Sequence, residues 1–213
     1  TFCAGGSMGN FQKSQQTAPA AGEPDPIAAN NRRFGEFMTA LACFPKVLVV
    51  AVEGAAMGGG FGLACVADIL LARKDAKFAL SETTLGLVPA QIAPFVVARI
   101  GQARARRLAL SGERIDGVEA ERISLVDLVA DDAVGLETAL VAVLRGIGRC
   151  APGANAATKS LIAQCGALPL AQVLDNASEM FARQMRGEGG EGVAAFRDKR
   201  DAAWVEKIER LPP

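Results

Sequence analysis

The chain of 213 residues contains no histidine, no tyrosine and only one tryptophan. The absence of histidine excludes Ser-His-Asp and Cys-His nucleophilic catalysis, histidine metal ligands and histidine general bases. Proton transfer at neutral pH must therefore use a carboxylate with a raised pKa, a lysine with a lowered pKa, or a cysteine.

The chain also lacks a charge excess, a cysteine motif and a long apolar run. Its 23 basic and 23 acidic residues balance, and the densest basic segment, Ala103–Leu110 (ARARRLAL), spaces its arginines around a helix. Nucleic-acid binding is therefore not expected. The five cysteines never form CxxC, which favours a reducing cytosol over disulfides or a metal site. No uncharged stretch, Gly54–Ala67 included, reaches the ~20 apolar residues of a membrane span. We expect a cytoplasmic globular protein without a membrane or metal partner.

Hydrophobic periodicity divides the chain into two regions. In residues 1–130 short apolar segments alternate with helical ones, which is typical of α/β layering. Lys46–Val52 (KVLVVAV) predicts a buried strand, and Asp68–Leu80 predicts two short strands around a charged turn. Residues 131–213 carry helical spacing almost throughout. We therefore predict an α/β core at 1–130 and a helical region at 131–213.

Two helix signals flank the strands. Apolar residues at i, i+3, i+4 and i+7 from Phe34 predict an amphipathic helix that ends before Pro45. The polar, proline-rich segment 12–31 before it predicts a surface loop. Further on, Asp116 and Glu119 have the spacing of a helix capping box.

Five glycines lie within residues 54–62, directly behind the predicted strand. The segment (VEGAAMGGGFGLACVAD) fits neither the GxxxxGK[ST] nor the GxGxxG nucleotide motif. A turn of this kind leaves the N–H groups of Gly58, Gly59 and Gly60 free at a helix start, which suits an anion developing on a carbonyl oxygen. The alternative is that these glycines only permit close packing of strand and helix. A second strand-end turn, Ala4-Gly5-Gly6, could offer another backbone donor.

Five segments together resemble the crotonase (enoyl-CoA hydratase/isomerase) family, in the family's order over nearly the whole chain. They are FCAGGSM, VEGAAMGGGFGLACVAD, FALSETTLGLVP, LALSGERIDGVEAERISLVDLV and EGVAAFRDKRDAAW. The resemblance implies a crotonase-like α/β spiral of ββα units with a C-terminal helical trimerisation region, assembled as a homotrimer or a dimer of trimers. It also implies acyl-CoA thioester substrates, with coenzyme A present only as part of the substrate and no other cofactor. The two strands that open family members are missing before Thr1, so we expect the chain to be part of a longer protein.

The resemblance assigns roles to individual residues. The two backbone donors of the family's oxyanion hole, which stabilises a thioester enolate, fall on Gly6 and Gly59. Lys199, in FRDKR, is expected to reach the coenzyme A phosphates of a neighbouring subunit, although a solvated lysine is an equal alternative. The remaining residues of the two glycine turns are expected to line the substrate: Ala4, Ser7, Met8, Gly58, Gly60 and Gly62.

The chain departs from the family pattern at two places. Hydratases of the family carry two glutamates that activate a water; Glu82 matches the second, but Gly62 stands in the place of the first. The family's Gly-Gly run after a proline is replaced by Ala90-Gln91, which would put the Gln91 amide into the acyl pocket unless Gln91 lies on the surface. This variant resembles the isohexenylglutaconyl-CoA hydratase branch, and so suggests a branched glutaconyl-type thioester.

Three functions remain open at this point. The first is hydration of a 2-enoyl-CoA with Glu82 as acid and base, buried next to apolar residues such as Leu85, Val88 and Phe95. The second is an enoyl-CoA isomerase in which Glu82 alone shuttles a proton. The third is a non-catalytic acyl-CoA-binding or assembly protein, which the retention of Glu82 and of both glycine turns disfavours. For Glu82 itself, the alternative role is a helix N-terminal charge that caps the helix together with Ser81.

Overall fold

A computed structural model of the chain describes residues 1–6, 9 and 22–211. Ser7 and Met8, predicted to line the substrate, lie outside the described residues. The chain forms two compact units, one made of residues 1–42 and 48–139 and the other of residues 43–47 and 140–213.

The described part of the first unit contains two three-stranded sheets. Their strands, in chain order, are β1 (Val49–Val52), β2 (Ala55–Met57), β3 (Ile69–Arg73), β4 (Lys77–Ala79), β5 (Arg114–Asp116) and β6 (Leu128–Ala130). In the first sheet the order is β1-β3-β6, and every neighbouring pair is parallel. In the second sheet the order is β2-β4-β5, with β2 parallel and β5 antiparallel to the central strand β4.

The strands β1 to β4 alternate between the two sheets, which produces the spiral, whereas β5 joins the sheet of β4 and β6 returns to the sheet of β3. The chain runs through β1 and β2 into a helix, and then through β3 and β4 into a 3-10 turn and further helices. The predicted α/β spiral of ββα units is therefore confirmed. The helices of this part are α1 (Pro26–Ala42), α2 (Gly59–Cys65), α3 (Ala93–Ile100), α4 (Gln102–Ser111) and α5 (Gly117–Arg122), and the 3-10 turn is Glu82–Leu85.

The core lies between the sheets and these helices. The central residues of β3 are fully buried, as expected for a strand with neighbours on both sides. Phe61 of α2 packs edge-on against Phe78 of β4, with ring centroids 6.3 Å apart. This aromatic pair fixes the glycine-rich helix over the second sheet.

Helix α1 begins earlier than the sequence predicts. Residues 26–31 were expected to be loop, but they are helical because Asp25 and Pro26 form a helix start. The Asp25 carboxylate accepts a hydrogen bond from the Ile27 N–H at 2.8 Å, and the fixed φ of proline suits the first helical position. The part of the predicted loop at residues 12–21 lies outside the described residues. The predicted capping box is confirmed on one side, since Asp116 accepts from the Glu119 N–H at 2.9 Å.

The C-terminal region is helical, as predicted. Helical spacing was expected almost to the end of the chain, but the last described helix ends at Arg197, because Lys199 adopts a left-handed φ of 52° and the Arg200 N–H closes the turn onto the Ala195 carbonyl. None of the described helices has both the length and the hydropathy to cross a membrane. The helices are α6 (Ala133–Gly148), α7 (Pro152–Gln164), α8 (Leu170–Arg186) and α9 (Glu188–Arg197).

Candidate active site

Three parallel segments of the second sheet end at the same edge. Cys3 forms a parallel bridge to Ala56 of β2, and β2 pairs in parallel with β4. The residues that follow these segments are therefore neighbours, because the carboxyl ends of parallel strands meet at one edge. They are the Ala4–Gly6 turn, the glycines at the start of α2, and Glu82.

The Ala4–Gly6 turn lies against the end of β2. The Met57 N–H donates to the Cys3 carbonyl at 2.9 Å, and the Cys3 N–H donates to the Ala55 carbonyl at 2.8 Å. Gly5 has a φ of 96°, which only glycine adopts readily, and it packs beside the Met57 backbone. Ala4 and Gly6 are both exposed in the described part of the chain, and the role of the Gly6 N–H as a donor stays a prediction.

The start of α2 exposes backbone donors. The Gly58 N–H is occupied by the Ala79 carbonyl at 2.9 Å, and the Gly62 N–H donates to the Gly58 carbonyl at 3.2 Å. The N–H groups of Gly59 and Gly60 make no hydrogen bond to any described residue. Gly59 is partly exposed, whereas Gly60 is buried because Cys3 Cβ lies 2.5 Å from where a Gly60 side chain would begin. Gly59 is therefore the accessible donor, and Gly60 is a close-packing residue.

Glu82 reaches this donor region from the end of β4. Its Oε1 lies 3.1 Å from where a Gly58 side chain would begin. Its Oε2 is buried and has no hydrogen-bond partner among the described residues. Desolvation raises the pKa of Glu82, although a backbone hydrogen bond partly opposes the effect. An unpaired buried carboxylate oxygen is costly, so this oxygen is the atom that a reacting group would satisfy.

The 3-10 turn that carries Glu82 is held from both sides. The Thr83 hydroxyl donates to the Ala109 carbonyl of α4 at 2.8 Å, and the Leu87 N–H donates to the Glu82 carbonyl at 3.0 Å. Ser81 makes no side-chain capping bond, so Glu82 is not part of a helix cap with it. The predicted apolar surroundings are only partly right, because Leu85 and Val88 are 52% and 72% exposed.

The position of the missing glutamate is filled by another side chain. A Cβ at Gly62 would lie 2.6 Å from Ile92 Cβ and 3.4 Å from Met38 Cε. Ile92 and Met38 are both buried, with exposed fractions of 3% and 0%. The sequence did not identify Ile92 as a neighbour of Gly62. Its only indication was that a large residue follows the altered Ala90-Gln91 pair.

Helix α1 covers the other side of the glycines. Phe34 Cζ lies 3.4 Å from where a Gly59 side chain would begin. The Gln91 amide packs over Gly35 and donates to the Asn31 side chain at 2.9 Å, so it is held by α1. The Arg32 guanidinium lies over the same glycine, 3.1 Å from its Cβ position, and makes no ion pair with any described residue. The role of Gln91 in the acyl pocket stays a prediction.

The other charged candidates lie elsewhere. Glu53 is exposed in the turn between β1 and β2, and Asp68 accepts a hydrogen bond from the Leu48 N–H at 2.7 Å. Lys199 belongs to the second unit and is exposed, and its role towards coenzyme A stays a prediction. No cluster of three or more metal-ligating side chains occurs in the part of the chain that the structure describes.

These features define an α/β protein of ββα units in which two glycine turns and one carboxylate meet at a sheet edge. The sequence profile of the enoyl-CoA hydratase/isomerase family matches residues 1–207. The chain therefore belongs to the enoyl-CoA hydratase/isomerase family, as the resemblance implied.

Individual relatives agree with this assignment. The crystal structure of an enoyl-CoA hydratase/isomerase from Marinobacter aquaeolei is 46% identical, with a TM-score of 0.92 over 96% of this chain and 78% of that one. Cyclohexa-1,5-dienecarbonyl-CoA hydratase from Thauera aromatica is 30% identical over 187 residues, 85% of this chain and 70% of that protein. The 2,3-dehydroadipyl-CoA hydratase of Escherichia coli is 32% identical over 84% of this chain and 70% of that protein. Across these and other relatives the chain spans 52% to 78% of their length.

Proposed function

We propose that the protein hydrates a 2-enoyl-CoA, with the N–H groups of Gly6 and Gly59 as the oxyanion hole and Glu82 as acid and base. The observation that carries the proposal is the Glu82 carboxylate: its Oε2 is buried without a hydrogen-bond partner among the described residues, and its Oε1 lies 3.1 Å from where a Gly58 side chain would begin. A carboxylate held in this way has a raised pKa, which makes it a stronger base near neutral pH. The two N–H groups supply the electrostatic part of the catalysis.

The proposed reaction uses one carboxylate twice. Glu82 accepts a proton from water while the water oxygen bonds to C3 of the substrate. The electron pair of the C2=C3 bond moves towards the thioester oxygen, and the Gly6 and Gly59 N–H groups stabilise the resulting enolate. The protonated Glu82 then delivers its proton to C2, which regenerates the carboxylate and leaves the 3-hydroxyacyl thioester.

Isomerisation of an enoyl-CoA is the second candidate function. It is favoured by the glycine at position 62, because moving a double bond needs one proton shuttle and no activated water. Glu82 would remove a proton from C2 of a 3-enoyl thioester and return it at C4, with the same enolate in between. A non-catalytic acyl-CoA-binding or assembly protein is the third candidate. Such a protein would not need the unpaired carboxylate of Glu82 beside the glycine turns.

The assay that tests the proposal follows the conjugated thioester absorbance. With a 2-enoyl-CoA we expect the absorbance to fall as water adds, and the protein should need no added metal after treatment with EDTA. A gain of absorbance with a 3-enoyl-CoA, without loss from the 2-enoyl-CoA, would establish the isomerase. Binding of both thioesters without a change in absorbance would establish the non-catalytic alternative.

We further propose that the acyl group is of the branched glutaconyl type and so carries a second carboxylate. The support is the Arg32 guanidinium, which lies beside the Gln91–Asn31 amide pair without an ion-pair partner among the described residues. The test compares glutaconyl-CoA with crotonyl-CoA, which lacks the carboxylate. Arg32→Met should lower kcat/KM for glutaconyl-CoA by about 10-fold or more and spare crotonyl-CoA, since a hydrogen bond to a charged group contributes ~1.5–3 kcal/mol. Arg33→Met, on the same helix, is the matched control.

We also propose a cytoplasmic homotrimer or dimer of trimers. The support for the assembly is the set of large apolar side chains exposed on the C-terminal helices, including Phe196 at 87% and Phe181 at 68%. Sedimentation at micromolar concentration should show a trimer or hexamer, and a stable monomer would contradict the proposal. Lys199→Ala should weaken coenzyme A binding if this lysine reaches a neighbour's phosphates. The described cysteines are all free thiols, which supports a reducing compartment.

A further inference from the structure

The 3-10 turn that carries Glu82 is not held in place by burial. It spans four residues, Glu82–Leu85, and none of them is buried, so no side chain of the turn anchors it in the hydrophobic core. A 3-10 helix also has poorer hydrogen-bond geometry than an α-helix and is stable only in short pieces. The orientation of the turn therefore depends on its contacts with neighbouring elements.

The Glu82 carboxylate itself makes this orientation costly. Its Oε2 is buried without a hydrogen-bond partner among the described residues, so any movement that returns this oxygen to water is favourable. A local arrangement of this kind persists only where the surrounding structure fixes it. Contacts elsewhere in the turn must therefore oppose the movement of Glu82 towards solvent.

The two residues after Glu82 join the turn to the end of α4. The Thr83 hydroxyl donates to the Ala109 carbonyl at 2.8 Å. Ala109 lies in the last turn of α4, where carbonyls lack a donor within the helix, so the hydroxyl satisfies a group that the helix leaves unpaired. Thr84 Cγ2 lies 2.6 Å from where a Gly112 side chain would begin, which brings the turn close to the glycine that ends α4.

Thr83 and Glu82 belong to one hydrogen-bonded backbone unit. About three residues make one turn of a 3-10 helix, so successive side chains point about 120° apart. Thr83 thus bonds to α4 while the Glu82 carboxylate lies beside Gly58. The Leu87 N–H donates to the Glu82 carbonyl at 3.0 Å, and the Gly86 N–H donates to the Thr83 carbonyl at 3.2 Å. A shift of the backbone at Thr83 would therefore move Glu82 as well.

We propose that Thr83 is a positioning residue, which holds the Glu82 carboxylate at the glycine turns through its hydrogen bond to Ala109. This inference rests on the proposed function of that site. A general base must lie within hydrogen-bond reach of the proton that it accepts, and a displacement of about 1 Å can lower the rate ~10²-fold. Loss of the Thr83 hydroxyl should therefore lower kcat more than it changes KM, because the proposed donors Gly6 and Gly59 lie outside the turn.

Steady-state kinetics test the catalytic part of the proposal, with crotonyl-CoA for hydration and a 3-enoyl-CoA for isomerisation. Thr83→Val keeps the shape of the side chain but removes the hydroxyl, so kcat should fall about tenfold or more while KM changes less than about twofold. Thr83→Ser keeps the hydroxyl and should retain most of the activity. A Thr83→Val enzyme with wild-type kcat would overturn the proposal, and so would an equal loss of kcat in both variants.

A variant destabilised elsewhere separates positioning from a general loss of stability. Asp116→Ala removes the N-cap of α5 in the same unit, so it should lower the unfolding midpoint but keep wild-type kcat well below that temperature. Thr83→Val leaves the Ala109 carbonyl without this donor and should lower both the midpoint and kcat. An equal fall of kcat in Asp116→Ala would mean that destabilisation explains the loss, and would overturn the proposal.

Amide hydrogen exchange tests the anchoring without relying on catalysis. Thr83→Val should raise the exchange rate of the Leu87 N–H, which bonds to the Glu82 carbonyl, about tenfold or more, whereas Thr83→Ser should not. Unchanged exchange in Thr83→Val would overturn the proposal. If Thr83→Val fails to fold, Thr83→Ala gives the same comparison, because it also lacks the hydroxyl. Absence of wild-type turnover with both thioesters would refute the proposed function, whereas the exchange rates would still decide whether Thr83 holds the turn.

Discussion

Glu82→Gln is expected to lower activity and raise stability, a combination that misfolding cannot produce. The change keeps the size of the side chain but removes its ability to accept a proton. General acid–base catalysis contributes ~10²–10⁴-fold, so we expect kcat to fall at least ~10²-fold, equivalent to ~2.7 kcal/mol of barrier. KM should change little, because the substitution leaves the proposed backbone donors to the thioester, the N–H groups of Gly6 and Gly59, untouched.

The stability effect follows from the buried, unpaired oxygen. Burial raises the pKa of Glu82 in the folded state, so its ionised form destabilises the fold at a pH above that raised value. Below the unfolded-state pKa of ~4.3 the carboxyl group is protonated in both states and this cost disappears. Glu82→Gln should therefore unfold at a higher temperature than the wild type at pH 7–8, and the difference should vanish as the pH falls below ~4.3.

Steady-state kinetics and thermal unfolding across pH 3–8 measure both effects on the same samples. The matched control is Glu53→Gln, since Glu53 is exposed and lies in the turn between β1 and β2. This control should leave kcat and the unfolding temperature unchanged. An active Glu82→Gln enzyme would show that another group transfers the proton. A Glu82→Gln protein less stable than the wild type at pH 7 would show that Oε2 has a partner in solution.

The remaining predictions concern a backbone donor, a helix cap and a thiol. Gly59→Pro removes the proposed N–H donor at the first residue of α2, a helix position where proline is tolerated, and kcat should fall ~10²–10³-fold. The control Gly59→Ala keeps the N–H group and should keep most of the activity. Equal activity in both variants would mean that the Gly59 N–H is not a donor to the substrate. Asp116→Ala removes the N-cap of α5 and should destabilise the fold by ~1 kcal/mol in denaturant unfolding, with Asp75→Ala as an exposed comparison. Burial raises the pKa of Cys65 to about 12, so peptide mass mapping should find Cys65 unmodified by iodoacetamide in the native protein and modified after denaturation.

The strands and most helices could be predicted because their residues repeat with a clear period. β3 and β4 were expected from their apolar runs, but the sequence could not show that they join different sheets, since periodicity carries no information on pairing. The early start of α1 was missed because a proline-rich segment was interpreted as loop, although Asp25 and Pro26 are a helix-start signal.

The candidate site was predictable only in part. The glycine turns and Glu82 were found through local motifs and the family resemblance, because each occupies a short, distinctive segment. Ile92 could not be found in this way, since it meets Gly62 across thirty positions of sequence and its apolar character marks it as an ordinary core residue. Leu85 and Val88 were expected to bury Glu82, but Leu85 at the end of the 3-10 turn and Val88 in the segment after it are both exposed, which hydrophobicity alone could not reveal.

The bridge between Cys3 and β2 affects the stage of folding at which the proposed site is completed. The Gly6 donor is attached to the sheet through a short segment whose backbone pairs with residues about fifty positions away, namely Ala55 and Met57. Contacts between distant residues form after local ones, since the intervening chain must first be closed into a loop. The two proposed donors, Gly6 and Gly59, are thus expected to come together late in folding. Local opening of the Cys3–Ala56 bridge would therefore separate the proposed Gly6 donor from Gly59 while the pairing within the two sheets stays intact.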